Sequence, residues 1–169
     1  MTLDLSIRPA APADDDAIWA ILQPAIEAGD SLTADPTGGR AGAFAYWRPP
    51  GAETFVAELD GRVVGTSYLR PNHRGGGAHV CNAGYCTAPQ ARGHGVARAL
   101  LAHSLDTARA RGYRAMQYNF VVATNARAID TWQRAGFGIV GRLPGAFLHP
   151  RSGYVDALVM FKDLTDGTD

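Results

Sequence analysis

The sequence predicts an α/β fold: one domain in which a mixed, mostly antiparallel sheet carries helices on both faces. Three observations predict it. Two alternating segments flank Asp60-Gly61, a glycine-rich turn joins a strand at 79–87 to an amphipathic helix, and a further strand and helix follow at 115–135. Tight turns pair strands antiparallel, whereas a strand, crossover helix and strand return a parallel neighbour, so one sheet must hold both arrangements.

The elements follow in order. Leu3 to Arg8 alternates as a strand, and Pro9 to Pro12 breaks it. Asp14, Asp15 and Asp16 put negative charge where a helix N-terminus favours it, and Ile18, Ile21, Leu22 and Ile26 mark the buried face of that helix. Pro24 lies inside the pattern and predicts a kink or a division. From Gly29 to Ala52 the chain is rich in Gly and Pro without a period, interrupted by Phe44, Tyr46 and Trp47. This segment reads either as a substrate-side cover with room for a short helix or as a variable surface loop.

Glu53 to Leu59 and Arg62 to Leu69 form a hairpin, because Asp-Gly is the chemistry of a two-residue turn. His79 to Thr87 is the next strand. Val96, Leu100, Leu101, Leu105 and Ala108 give the following helix its apolar face, and Gly112 stops it. Ala115 to Val122 is a strand, Asn125 to Ala135 a helix ended by Gly136, Ile139 to Gly141 begins another strand, and Tyr154 to Phe161 is the last.

A chain of 169 residues is large enough to bury a core without disulfides or a structural metal, and residues 1–169 read as one domain. Sixteen Lys and Arg balance sixteen Asp and Glu, which removes any broad attraction to nucleic acid or to an anionic membrane and favours a small-molecule partner. Cys81 and Cys86 have opposite parity on one predicted strand, so they point to opposite sheet faces and read as free thiols in a reducing compartment. The N-terminus lacks the basic segment and apolar run of a signal peptide, and no apolar stretch reaches membrane-spanning length, so the expected location is cytoplasmic.

The chemistry concentrates in Arg92-Gly93-His94-Gly95, between a strand and a helix. Glycines let main chain approach phosphate oxygens, and the first amides of a helix are donors without intrahelical acceptors. The spacing fits neither a Walker loop nor a dinucleotide fingerprint, since Arg98 stands where the latter needs its third glycine. Taken alone, the turn is equally a tight strand-to-helix connection.

Its context resembles the GNAT superfamily of acetyl-CoA-dependent N-acetyltransferases over almost the whole chain. Thr87-Ala-Pro-Gln-Ala-Arg-Gly-His-Gly-Val-Ala97 matches that family's acetyl-CoA motif, and Asn125, Ala128, Ile129 and Ala135-Gly136-Phe137 resemble its final helix. The opening Ile-Arg-Pro-Ala and the hairpin containing Val63-Val64-Gly65 are similar as well.

The resemblance implies a GNAT-like fold with the 79–87 and 115–122 strands splayed to admit the pantetheine arm of acetyl-CoA. It implies that backbone amides across Arg92, Gly93, His94, Gly95, Val96 and Ala97 hold the coenzyme pyrophosphate. Main chain around Tyr85 and Thr87 would pair with pantetheine, an amide near Ala83 to Tyr85 would polarise the thioester carbonyl, and Asn125 would contact the coenzyme or merely cap its helix. No metal is implied, and a homodimer is compatible with it.

The reaction implied is direct attack by a neutral amine. An amine of pKa near 10 is neutral to about one part in a thousand at pH 7, a handicap of roughly 4 kcal/mol that a base or desolvation must offset. Histidine is the side chain suited to proton transfer near neutral pH, and His79 lies beside the expected cleft, yet it reads as structural or solvent-facing. Many family members carry a tyrosine in the last helix that protonates the leaving thiolate. Trp132 stands there in this chain, beside the coenzyme or in the core, so Tyr154, Tyr85 or water replaces it, or the thiolate leaves unaided.

Gln117 to Asn125, a Trp in the next helix and Gly141-Arg-Leu-Pro-Gly145 also look like the yeast acetyltransferases that detoxify azetidine-2-carboxylate. Asn82 and Asn119 match asparagines of that group. They would orient the substrate and support the attacking amine, or else satisfy backbone groups where two strands part. The expected acceptor is a small amino or imino acid or a related toxic amine. The alternatives are a protein N-terminus or lysine, and a non-catalytic acyl-CoA-binding sensor.

Overall fold

The computed structural model describes residues 4–165. Strand β1 spans Leu5–Pro9; Leu3, where the sequence begins this strand, lies outside the described residues. Helix α1 runs Asp15–Ala28 and stops at Gly29, whose φ of 61° is left-handed. Pro24 does not divide it. Its ring is on the exposed side, while Ile18, Ile21, Leu22 and Ile26 are buried on the other, and that burial outweighs the roughly 3 kcal/mol cost of an interior proline.

The segment from Gly29 to Ala52 holds the short helix that the cover reading left room for, α2, Gly39–Trp47. Trp47 is wholly buried, donates its indole N–H to Thr66 Oγ1 at 3.1 Å and meets the Tyr68 ring edge-on. Tertiary burial of one aromatic therefore makes a helix from a glycine-rich stretch of low intrinsic propensity.

Strands β2, Glu53–Leu59, and β3, Arg62–Pro71, form the expected hairpin. Asp60 and Gly61 both have positive φ, 50° and 76°, as a type I′ turn requires. Then come β4, Val80–Thr87; α3, Val96–Ala110; β5, Ala115–Val122; α4, Ala126–Arg134; β6, Gly138–His149; and β7, Gly153–Asp163. They form a seven-stranded sheet of order β1-β2-β3-β4-β5-β7-β6, in which β4 and β5 are the parallel pair.

Neighbouring side chains on β4 show how the faces are covered. Tyr85 reaches Ser104 of α3, whereas the Cys86 thiol reaches the Ile21 carbonyl of α1. The two cysteines also divide between the faces, Cys81 packing with Leu105 and Met116 and Cys86 with Ile21 and Leu22. Both are free, and burial pushes both thiols up to about 12, so neither is a nucleophile near neutral pH.

Gly65 sets the height of α3 on the sheet. A Cβ there would stand 2.7 Å from Val96 Cγ1 and 3.1 Å from Leu100 Cδ1. The missing side chain lets the first turn of α3 press onto β3, which holds the preceding glycine turn at the carboxyl end of β4.

Candidate active site

The site begins where β4 and β5 part. Their pairing covers Val80 with Ala115 and Cys81 with Met116, and ends there. On its other edge β4 stays paired with β3 through Thr87. Main-chain bonds from Asn72 N–H to Val80 and from Ala88 N–H to Val64, both 2.8 Å, fix the alternation. Residues 80, 82, 84, 86 and 88 therefore bond to β3, and the main-chain groups of Ala83, Tyr85 and Thr87 face the opening.

A bulge helps β5 diverge. Tyr118 opposes Met160 and Val121 opposes Leu158, so Asn119 and Phe120 occupy one more position than β7 supplies. The cleft holds a cavity of about 410 Å³, within the range of small-molecule sites. Asn82, Tyr85, Tyr118 and Asn119 line it, with Trp132 of α4 and Arg70 of β3. Ser31, Leu32, Thr33 and Tyr46 also line it, so the 29–52 segment does cover this side.

A second cavity of about 610 Å³ shares Tyr85, Thr87, Ala97, Asn125 and Arg127 with the first and continues past the glycine turn. Gly93 and Gly95 are left-handed, φ 87° and 79°, and a Cβ on Gly93 would point into open space. The first bond of α3 runs from Ala99 N–H to the Gly95 carbonyl, 3.0 Å, which leaves the Val96, Ala97 and Arg98 amides without helical acceptors. Arg92, Arg98, Arg127 and Arg151 add positive charge around this cavity. A diphosphate with an extended amide-bearing arm fits this chain of groups: amides and arginines for the anion, then a free strand edge for the arm.

Two expected residues fall elsewhere. His94 is exposed and lines neither cavity, and its amide is engaged by the Ala91 carbonyl at 3.4 Å. Tyr154 is 77% exposed on β7 and lines neither cavity. The β6 and β7 strands run past the cleft to the sheet edge and carry it away. His79 is exposed at the start of β4 and is likewise outside both cavities.

The others converge. Asn125 caps α4, its Oδ1 accepting the Ala128 amide at 3.3 Å, and lines both cavities. Asn119 accepts from Gln117 Nε2 at 2.9 Å and donates to Asn72 Oδ1 at 2.7 Å. Asn82 is 7% exposed and has no side-chain hydrogen-bond partner among the described residues.

Tyr118 and Ser104 were not singled out in the sequence, although Tyr118 shares β5 with Asn119. The Tyr85 hydroxyl meets Ser104 Oγ at 2.5 Å and the Tyr118 hydroxyl at 2.9 Å. The Trp132 ring lies against both tyrosines, with centroids 5.1 and 5.2 Å away. Burial raises both phenols well above their ordinary range, so both stay protonated and neutral.

The Acetyltransferase (GNAT) family matches residues 17–137. An N-acetyltransferase of Schizosaccharomyces pombe, aca1, is 34% identical over 118 residues, 65% of this chain and 54% of that protein, so the chain spans about half the length of the curated relative it matches. Among solved structures, a GCN5-related N-acetyltransferase from Kribbella flavida is 40% identical with a TM-score of 0.89, covering 94% of this chain and 97% of the other. A ribosomal-protein-alanine N-acetyltransferase from Brucella melitensis is 29% identical with a TM-score of 0.76, covering 94% and 99%. The splayed parallel strands, the glycine turn and these likenesses agree: the chain belongs to the acetyltransferase (GNAT) family.

Proposed function

We propose that the protein acetylates the amine of a small amino or imino acid, or a related toxic amine, in a ternary complex with acetyl-CoA. The observation that carries this reading is the free main-chain edge of Ala83, Tyr85 and Thr87, open to a small cavity at one end and running into the glycine turn at the other. Acetyl-CoA supplies an activated acetyl thioester when bound. Amides of Gly95, Val96 and Ala97, with Arg92, hold its diphosphate, and the edge of β4 at Tyr85 and Thr87 aligns its arm. The Ala83 or Tyr85 amide polarises the thioester carbonyl, because the Gly84 amide is turned toward β3.

Around the acceptor, Asn119 positions the amine, held by Gln117 and Asn72. Among the described residues lining this cavity there is no carboxylate and no imidazole, so the amine loses its proton to water. Arg70 and Arg127 favour the neutral amine by repelling its ammonium form. Tyr118 is the neutral donor beside Trp132 for the departing sulfur.

A second reading, acetylation of a protein N-terminus, is favoured by the likeness to the Brucella melitensis enzyme. One assay separates them: release of free CoA from acetyl-CoA over cyclic imino acids, primary amino acids, polyamines, aminoglycosides and short peptides. Turnover confined to small amino or imino acids supports the first reading; turnover confined to peptides replaces it with the second.

A further inference from the structure

Arg70 and Asn82 lie directly opposite each other across β3 and β4, in a pair whose main chains are hydrogen-bonded, so both side chains leave the same face of the sheet. Both line the 410 Å³ cavity. Among the described residues Arg70 enters no ion pair. Its Nε is buried without a hydrogen-bond partner, and Asn82, 7% exposed across the pair, makes no side-chain hydrogen bond among the described residues. The Tyr68 phenol gives Arg70 no counter-charge: burial pushes it up to about 12 against the opposing charge and hydrogen bond of the guanidinium.

A guanidinium whose Nε is buried with its donor unfilled favours an anion that completes it. Nothing on the cavity wall supplies that anion, and a polyamine or aminoglycoside would bring further positive charge. A carboxylate matches the fork of Arg70 and accepts an N–H of Asn82 in the same plane. We propose that Arg70, assisted by Asn82, binds the carboxylate of the acceptor, so that the substrate must carry a carboxylate close to its reacting amine. This rests on the small-amine reading above and narrows it, excluding the amines without a carboxylate that it still allowed.

The test uses matched acceptors with and without the charge: proline, prolinamide and pyrrolidine; azetidine-2-carboxylate and azetidine; methionine and its amide. In the wild type, the carboxylate member of a turned-over set should exceed its neutral partner in kcat/KM by about 30-fold, the worth of a charge-assisted bidentate contact. Arg70→Gln should collapse that ratio to about threefold or less, and Arg70→Lys should recover part of it, since an ammonium keeps the charge without the fork. Acetyl-CoA affinity, measured on each variant, reports that the fold is intact.

Turnover of neutral and carboxylate partners at equal efficiency overturns the Arg70 assignment and leaves acetylation of small amines standing. A ratio that persists in a folded Arg70→Gln variant also overturns it. No turnover of any member by protein that binds acetyl-CoA overturns both the assignment and the reading beneath it.

Discussion

Tyr118 donates its hydroxyl proton to Tyr85. The direction follows from counting hydrogens. Ser104 Oγ gives its one proton to the Leu101 carbonyl at 2.8 Å, so it accepts from Tyr85, and Tyr85, with its proton so used, accepts from Tyr118 at 2.9 Å. The series ends on a main-chain carbonyl, which cannot be protonated, so these hydroxyls hold a geometry and do not conduct a proton inward.

Tyr118 meets the departing thiolate only when its hydroxyl turns from Tyr85 toward the cleft, and on that reading Tyr118→Phe should lower kcat by about tenfold to a hundredfold, the range for a hydrogen bond to a charged group. Tyr85→Phe removes the acceptor that draws the Tyr118 proton away from the cleft, and kcat should stay within about threefold of wild type. Steady-state kinetics on both variants checks this. An equal fall in the two would mean that the pair acts as a unit and that Tyr118 is not the donor.

The glycine turn gives a cleaner separation of binding from folding. Gly95→Asp puts a side chain at φ 79° and a negative charge where the diphosphate is assigned. The backbone cost is about 1 to 2 kcal/mol, which lowers Tm by roughly 2 to 8 °C in a domain of this size. Calorimetry should show acetyl-CoA affinity falling by more than about tenfold, beyond what that strain explains. Unchanged affinity in a folded variant would remove the cradle assignment.

What was legible in the sequence divides along a physical line. The Asp60-Gly61 hairpin and the Arg92 to Gly95 turn were readable because positive φ restricts residue choice, and α3 because its apolar positions repeat on one face. Helix α2 was legible only as room for a short helix without bounds, since Gly38, Gly39 and Gly42 disfavour it and the burial of Trp47 against Thr66 stabilises it. Among the site residues, Asn82, Asn119 and Trp132 reached the cavity and Tyr154 did not. Alternation gives the face a strand residue takes, but neither where β6 and β7 pass the cleft nor that Arg70 would sit across from Asn82. Those depend on strand order and register, which are long-range properties.

The lining of the acceptor cavity makes a pH prediction. With no carboxylate or imidazole among its described lining residues, kcat/KM for the acceptor should rise about tenfold per pH unit up to the pKa of the amine itself, without an inflection between pH 5 and 8. His79→Ala, at an exposed position outside the cavity, should leave the profile unchanged. The buried phenols set the alkaline limit. Tyr68, Tyr85 and Tyr118 have folded pKa values above their ordinary range, so above about pH 10 the unfolded chain releases protons that the folded chain keeps. Stability is present below that pH and declines above it. A bell-shaped profile near neutrality would reveal a protein base and contradict loss of the proton to water.

Asn119 tests the acceptor side. Its amide is fixed at both ends, accepting from Gln117 Nε2 and donating to Asn72 Oδ1, in the bulge that separates β5 from β4. Each end still has capacity directed elsewhere: a second Nδ2 proton and a second Oδ1 lone pair. A residue needed only to satisfy neighbours would show its loss in stability, whereas one that orients an attacking amine shows it in turnover. Asn119→Ala should lower kcat by more than about tenfold with acetyl-CoA affinity within about twofold of wild type. Asn72→Ala frees one end of the same amide without removing it, so its effect on kcat should have the same sign and be smaller. If Asn119→Ala lowered only Tm, the Gln117-Asn119-Asn72 series would be a structural seam at the strand divergence, and the acceptor amine would be held by other groups.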